Sequence, residues 1–145
     1  MRLAITVARY FLGVVFLVFG LNYFFGFIPQ PPPGPAAGAL LGAFVESGYL
    51  MTFVKVTEIA VGVLLLAGRW VPLALVALLP ITLNVFLFNV LLDPAVPGVV
   101  LGALVLGLNA FLIWAYRAYY APLKEARAVP AAGEPAPAAP VPARV

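Results

Sequence analysis

The 145-residue sequence contains neither cysteine nor histidine. Without cysteine, the chain can supply no disulfide, no thiol nucleophile and no iron–sulfur cluster. Without histidine, it lacks the commonest general base and a frequent haem ligand. The sequence also shows no metal-ligand spacing, phosphate loop or catalytic triad. We therefore expect no covalently bound or metal-held cofactor, and an enzyme acting alone is the least favoured function class.

Charged residues are scarce as well. They make up 9% of the chain, against 65% hydrophobic residues, whereas soluble domains carry about 25% charged residues. This composition predicts that a lipid bilayer surrounds most of the protein. The net charge of +3 comes from basic residues scattered singly, without the patch that nucleic acid requires. A nucleic-acid partner is therefore excluded.

Four long apolar runs predict transmembrane helices. Each is long enough to cross a hydrocarbon core of about 30 Å at about 1.5 Å per residue, and a helix satisfies its own backbone polar groups in lipid. The predicted fold class is all-α, a four-helix transmembrane bundle within residues 1–120. Its spans are expected at about 3–26, 49–68, 71–92 and 98–120. The first run is too long for a signal peptide and contains Arg9, so we expect it to be retained.

The remaining segments differ from the spans in composition. Residues 36–47 predict a short interfacial helix between spans one and two, with Pro35 near its first turn and Gly48 after its end. The alanine- and proline-rich residues 121–145 predict a disordered cytoplasmic tail.

The basic residues predict the orientation of the bundle. If the N-terminus is cytoplasmic, the outer loops contain Glu46 and Asp93 but no lysine or arginine. The inner side then collects Arg2, Arg9, Arg69, Arg117, Lys124, Arg127 and Arg144. This is the positive-inside distribution, so both termini are predicted to be cytoplasmic.

Lys55 and Glu58 lie three positions apart in the apolar segment "TFVKVTEIAVGVLLLAG". On a helix they share one face and can touch, and a charge at the centre of a span costs roughly 2.5–3.5 kcal/mol. The two charges could simply neutralise each other and fix how span two faces the bundle, or Lys55 could extend towards the interface. Alternatively, the pair lines a cavity that binds a polar headgroup, an ion or a proton. Because ionisable residues at this depth are usually functional, we favour the cavity.

Asparagines occur at similar depths in the other spans. Each alone is best explained by a hydrogen bond between helices, but their shared depth predicts a polar pocket open towards the outer face. A kink at Pro80 would widen it. The candidate ligand-binding residues are Asn22, Lys55, Glu58, Asn84, Asn89 and Asn109.

Glycine motifs predict places where helices approach closely. "GVVLG" places Gly98 and Gly102 on one face of span four, and Gly13 and Gly20 lie on one face of span one. The partner could be another helix of the chain or a second copy, and a homodimer through Gly98 and Gly102 is one alternative.

The segments "RYFLGVVFLVFGLNYFF", "FIPQPPPGPAAGALLGAFVESGYL", "KVTEIAVGVLLLAGRWVPLAL" and "PITLNVFLF" resemble the DoxX-like family of small bacterial membrane proteins, over about residues 7–124. The resemblance implies a four-helix bundle in the bacterial inner membrane. The family takes its name from a membrane subunit of a thiosulfate–quinone oxidoreductase, and some relatives associate with oxidative-stress complexes. Its polar positions match Asn22, Lys55, Glu58 and Asn84, whereas several relatives carry a histidine where Asn89 stands.

Three functions remain open, in descending order of preference. The first is a membrane subunit or anchor of a redox assembly, with a redox partner protein and a quinone headgroup bound by the polar pocket. The second is a structural membrane partner without a ligand site. The third is a small dimeric transporter in which Glu58 exchanges protons.

Overall fold

The computed structural model describes residues 1–124 and 126. It contains five α-helices and a closing 3-10 helix: α1 (Arg2–Phe25), α2 (Pro35–Glu46), α3 (Leu50–Ala67), α4 (Val71–Leu91), α5 (Val96–Ala115) and η1 (Arg117–Lys124). The helices α1, α3, α4 and α5 are long and apolar enough to cross a membrane. The predicted all-α, four-span architecture is therefore confirmed, as is the short helix between spans one and two. Beyond Lys124, nearly all of the predicted tail lies outside the described residues.

The four long helices pack in a ring in which α1 contacts α3, α3 contacts α4, α4 contacts α5, and α5 returns to α1. Short helix α2 packs on α3. Each span begins at the end of the bundle where the preceding span stops, so consecutive spans run antiparallel, as in an up-and-down bundle. The centre is filled by aliphatic side chains with no exposed surface, among them Leu12, Leu65, Leu75, Leu78 and Leu112.

The helix ends follow from local sequence. Helix α3 is capped by Gly68, which has a φ of 67°, in the left-handed region that glycine adopts without steric cost. Pro72 lies in the first turn of α4, where its missing N–H is not needed. Pro80 lies inside α4, yet the helix continues from Val71 to Leu91.

The fourth span ends at Ala115 rather than near residue 120. Arg117 donates a hydrogen bond to the Trp114 carbonyl oxygen, 3.1 Å away, and so binds the last turn of α5. The chain then continues as the 3-10 helix η1, which contains Pro122 and includes residues 121–124.

The two ends of the bundle differ in charge. One end, here called the basic end, carries Arg2, Arg69, Arg117 and Lys124. The opposite, acidic end carries Glu46 after α2 and Asp93 after α4. This separation is the pattern from which the basic end is predicted to be cytoplasmic.

Glycines bring the backbones of α1 and α3 together. A methyl group at Gly62 would lie 2.8 Å from the Leu17 backbone nitrogen and 2.9 Å from the Gly13 carbonyl oxygen. A methyl group at Gly20 would lie 3.3 Å from the Lys55 carbonyl oxygen. The small-residue face predicted on span one thus contacts α3 of the same chain.

The glycine motif of α5 is also used within the chain. A methyl group at Gly102 would lie 3.1 Å from the Phe86 Cα atom in α4, and one at Gly98 would collide with the Asn89 side chain. Helix α4 therefore already occupies this face. The homodimer predicted through Gly98 and Gly102 gains no support from these contacts.

Candidate functional site

Lys55 and Glu58 form an ion pair on α3. The Lys55 Nζ atom lies 2.9 Å from Glu58 Oε2 and 3.1 Å from Glu58 Oε1. The Glu58 side chain is 4% exposed and the Lys55 side chain 22% exposed. The Glu58 side chain is thus enclosed by the bundle, whereas the Lys55 side chain is partly exposed.

The orientation of α3 places Glu58 inside. Glu58 belongs to the buried stripe of α3 that continues through Val61, Gly62 and Leu65. These positions recur at the spacing of one helix face. The close approach of α1 at Gly20 and Gly62 fixes this face against the core. The glycines let α1 approach α3 closely, and this close contact keeps the face that carries Glu58 buried.

The ammonium group of Lys55 has an unused hydrogen. A lysine ammonium donates three hydrogen bonds, and two are accepted by the oxygens of Glu58. No further acceptor binds it in residues 1–124 and 126. The arrangement is thus a lysine whose charge is balanced internally and which can still donate to a ligand oxygen.

Asn22 stabilises the turn after α1. Its Nδ2 donates to the Ile28 carbonyl oxygen at 3.1 Å, and its Oδ1 accepts the Ile28 N–H at 2.6 Å. The chain leaves α1 through Gly26 with a φ of 61°, so the amide closes the loop that follows. Both polar ends of Asn22 are bonded to backbone rather than to Lys55 or Glu58.

Asn89 and Asn109 have partners elsewhere in the α4–α5 contact. Asn89 Nδ2 donates to the Val85 carbonyl oxygen one turn back in α4, at 2.7 Å. Asn109 Nδ2 donates to Thr82 Oγ1 at 3.1 Å and so links α5 to α4. Thr82 in turn donates to the Leu79 carbonyl oxygen at 3.0 Å. Within the described chain, Asn109 Oδ1 is buried without a hydrogen-bond partner.

Asn84 lies on the outside of the bundle. Both Asn84 and Pro80 are exposed on α4, and no side-chain hydrogen bond of Asn84 occurs among the described residues. The structure therefore brings Lys55 and Glu58 together, while the four asparagines bond elsewhere or face outward. Among residues 1–124 and 126, no group of acidic side chains could hold a metal ion.

A family model described as DoxX matches residues 4–90. The chain belongs to the DoxX family. No match was found among curated proteins or among solved structures. In this DoxX protein the matched segment contains α1 to α4 almost completely, and thus the Lys55–Glu58 pair, but not α5. Four apolar helices of spanning length make it a multi-pass membrane protein in contact with lipid.

Two residues of this DoxX protein have roles that sequence reasoning missed. Arg9 Nη1 donates to the Leu65 carbonyl oxygen in the last turn of α3, where the helix dipole favours a cation. Its partner is a backbone atom, so no sequence pattern indicates the contact. Thr82 was also overlooked, although its spacing from the buried residues Leu75 and Leu78 could have placed it on the core face of α4.

Proposed function

We propose that this DoxX protein is the membrane subunit of a redox assembly, and that Lys55 donates a hydrogen bond to the carbonyl oxygen of a quinone headgroup. The observation that carries the proposal is the partly exposed Lys55 side chain, whose ammonium group has one unused N–H and is held by the buried carboxylate of Glu58. The redox partner would supply the electrons, since this chain has no cysteine or histidine with which to hold a redox centre.

The chemistry of a quinone suits this site. Its carbonyl oxygens accept hydrogen bonds and donate none, so they complement an N–H that has no acceptor. A hydrogen bond from a charged donor contributes about 1.5–3 kcal/mol. Reduction of the quinone adds negative charge to the same oxygen, which the ammonium would stabilise further. The half-buried apolar side chains of Met51 and Ile59 lie one turn to either side of Lys55 on the same face of α3, and they offer surface for the ring and tail.

Quinone binding to the purified full chain tests the proposal. Lys55→Met removes the donor, and we expect quinone affinity to fall by about 10- to 150-fold, the equivalent of one charged hydrogen bond. Lys55→Met alone leaves Glu58 buried without its counter-charge, which is destabilising. The double variant Lys55→Met/Glu58→Met removes both partners and is expected to fold normally while losing the same affinity.

The control is Arg69→Gln, which removes an exposed cation from the basic end. It is expected to leave quinone affinity unchanged. If the folded double variant binds a soluble ubiquinone or menaquinone analogue within twofold of the wild type, the pair does not hold the headgroup.

A structural partner without a ligand site is the second candidate function, and Asn84 favours it. An amide that faces lipid without a hydrogen-bond partner is unfavourable. A transmembrane helix of another subunit that covers this face of α4 would satisfy it. The same face would serve the redox assembly, so the two candidates differ only in whether the Lys55–Glu58 pair binds a ligand.

Photo-cross-linking tests this docking face. A photoreactive amino acid at Leu87, which is exposed one turn from Asn84 on α4, is expected to capture a single partner subunit. The same group at Val100, exposed on α5, is the matched control and should capture mainly lipid. Equal capture of the same protein from both positions would contradict docking on α4.

A further inference from the structure

A groove of about 430 Å³ runs from the middle of α4 along the last turns of α5 to the helix η1 at the basic end of the bundle. It is lined by Leu79, Ala110, Ile113, Trp114, Arg117, Tyr120 and Lys124. The floor is apolar, the rim contains two cations, and none of these lining residues is acidic.

Specific contacts hold the rim in place. The Tyr120 hydroxyl donates to the Pro72 carbonyl oxygen at 2.9 Å and so ties η1 to the start of α4. Burial, with Tyr116 nearby, raises the pKa of Tyr120 above its ordinary value, so this donor stays protonated at neutral pH. The guanidinium of Arg117 lies over the Trp114 ring, 4.6 Å from its centroid. The cationic rim is thus attached to the bundle at two points.

We propose that this groove binds one anionic phospholipid, with an acyl chain along Leu79, Ala110 and Ile113 and the phosphate between Arg117 and Lys124. Two cations with no acidic residue in the lining complement a negatively charged phosphate. Basic pockets between transmembrane helices at the cytoplasmic side are suited to anionic headgroups. Trp114 and Tyr120 are the aromatic residues expected at the depth of the headgroups. The proposal is independent of the quinone site at Lys55.

A second groove provides a comparison within the same molecule. It has a volume of about 360 Å³ and lies between α1 and α5. It is lined only by apolar side chains, namely Ala4, Val7, Ala8, Phe11, Leu104, Leu108 and Phe111. Acyl chains can occupy it, but nothing in its lining selects a headgroup. Selectivity for anionic lipid should therefore come from the groove at the basic end alone.

Native mass spectrometry of the full chain from mixed bilayers tests the proposal. The bilayers contain equal amounts of phosphatidylglycerol and phosphatidylcholine with identical acyl chains. The wild type is expected to retain phosphatidylglycerol in preference to phosphatidylcholine. Each cation near an anionic lipid contributes about a fivefold preference, so Arg117→Gln/Lys124→Gln should reduce retention of phosphatidylglycerol roughly thirtyfold.

The control variant Arg2→Gln/Arg69→Gln removes the same charge from the same end of the bundle but not from the groove. It should change retention of phosphatidylglycerol by less than about threefold, since charges outside the groove act on the bound phosphate only through a screened electrostatic potential. An equal loss in both double variants would overturn the proposal, because it would show attraction to the basic end in general. Displacement of the lipid by millimolar inorganic phosphate would overturn it too, since the acyl chain would then contribute nothing.

A second pair of variants tests the apolar floor without changing charge. Ala110→Phe fills the groove, and we expect it to abolish selective retention of phosphatidylglycerol. Ala103→Phe places the same bulk on the same helix at an exposed position outside the groove and should behave as the wild type. Selective retention of phosphatidylglycerol by Ala110→Phe at the wild-type level would exclude the groove as the binding site.

Discussion

Polar side chains within the bundle are satisfied in two different ways. Lys55 and Glu58 neutralise each other inside one helix, whereas Thr82 and Asn109 join two helices through a single hydrogen bond. The second arrangement is incomplete, because Asn109 Oδ1 has no partner in the described part of the chain. Leaving one buried polar group unpaired costs more than removing both partners of a bond. The two members of this link should therefore differ in their sensitivity to substitution.

Thr82→Val is expected to be the more damaging change. It leaves the Asn109 amide without any partner, and we expect the free energy of unfolding to fall by about 1–3 kcal/mol. Asn109→Leu removes the whole amide, while Thr82 keeps its bond to Leu79, so its cost should be smaller. Unfolding of the purified protein in mixed micelles by a denaturing detergent measures both. A larger loss for Asn109→Leu than for Thr82→Val would contradict this order.

The candidate site shows which residue contacts a sequence can predict. The Lys55–Glu58 contact follows from the three-residue spacing on one helix. The bonds of Asn22 to Ile28 and of Asn109 to Thr82 do not follow from spacing, since they depend on a turn and on the packing of two helices. Similar depth in the membrane therefore does not determine which partners these amides bond to.

At the scale of elements, the contact between α1 and α3 controls how the bundle is assembled. Gly62 packs directly against the Leu17 backbone nitrogen and the Gly13 carbonyl oxygen of α1. These backbone atoms cannot rotate away as a side chain could. Arg9 adds a hydrogen bond from α1 to the last turn of α3. The contact depends on small residues on both helices, as is usual between membrane helices.

Gly62→Ala should separate α1 from α3. The added methyl group would overlap backbone atoms 2.8 and 2.9 Å away, and we expect a loss of about 1–3 kcal/mol in the free energy of unfolding. Gly107→Ala is the matched control, because a methyl group there has no neighbour within 4 Å. Alanine is favoured over glycine in a helix by up to about 1 kcal/mol, so Gly107→Ala should be neutral or stabilising. Detergent-induced unfolding again measures both, and equal stability of the two variants would contradict the close packing.

At the scale of the whole molecule, the two ends of the bundle carry opposite charges. In the described chain, the basic end contains Arg2, Arg69, Arg117 and Lys124, and the acidic end contains Glu46 and Asp93. The lysines and arginines near the ends of spans determine orientation more strongly than acidic residues do. The basic end is therefore expected to face the cytoplasm.

Single cysteines test this orientation directly, because the natural sequence has none. Ser47 lies exposed after α2 at the acidic end, and Ala118 lies exposed in η1 at the basic end. A thiol reagent that cannot cross the membrane should label Ser47→Cys in intact cells. It should label Ala118→Cys only after the membrane is permeabilised. The reverse pattern would show that the basic end faces outward.

The sequence by itself determined the number of spans, their approximate ends and the ion pair, because hydropathy and the spacing of residues on one helix are local properties. Residues 2–25 and 71–91 are apolar and long enough to cross a bilayer, whichever helices pack beside them. Only the tertiary structure decided that Gly98 and Gly102 face α4, that Asn84 faces outward and that Arg9 binds α3. These outcomes depend on the rotation of each helix about its axis. Shape complementarity between neighbouring helices fixes this rotation, whereas the nearly uniform hydrophobicity of the spans does not specify it.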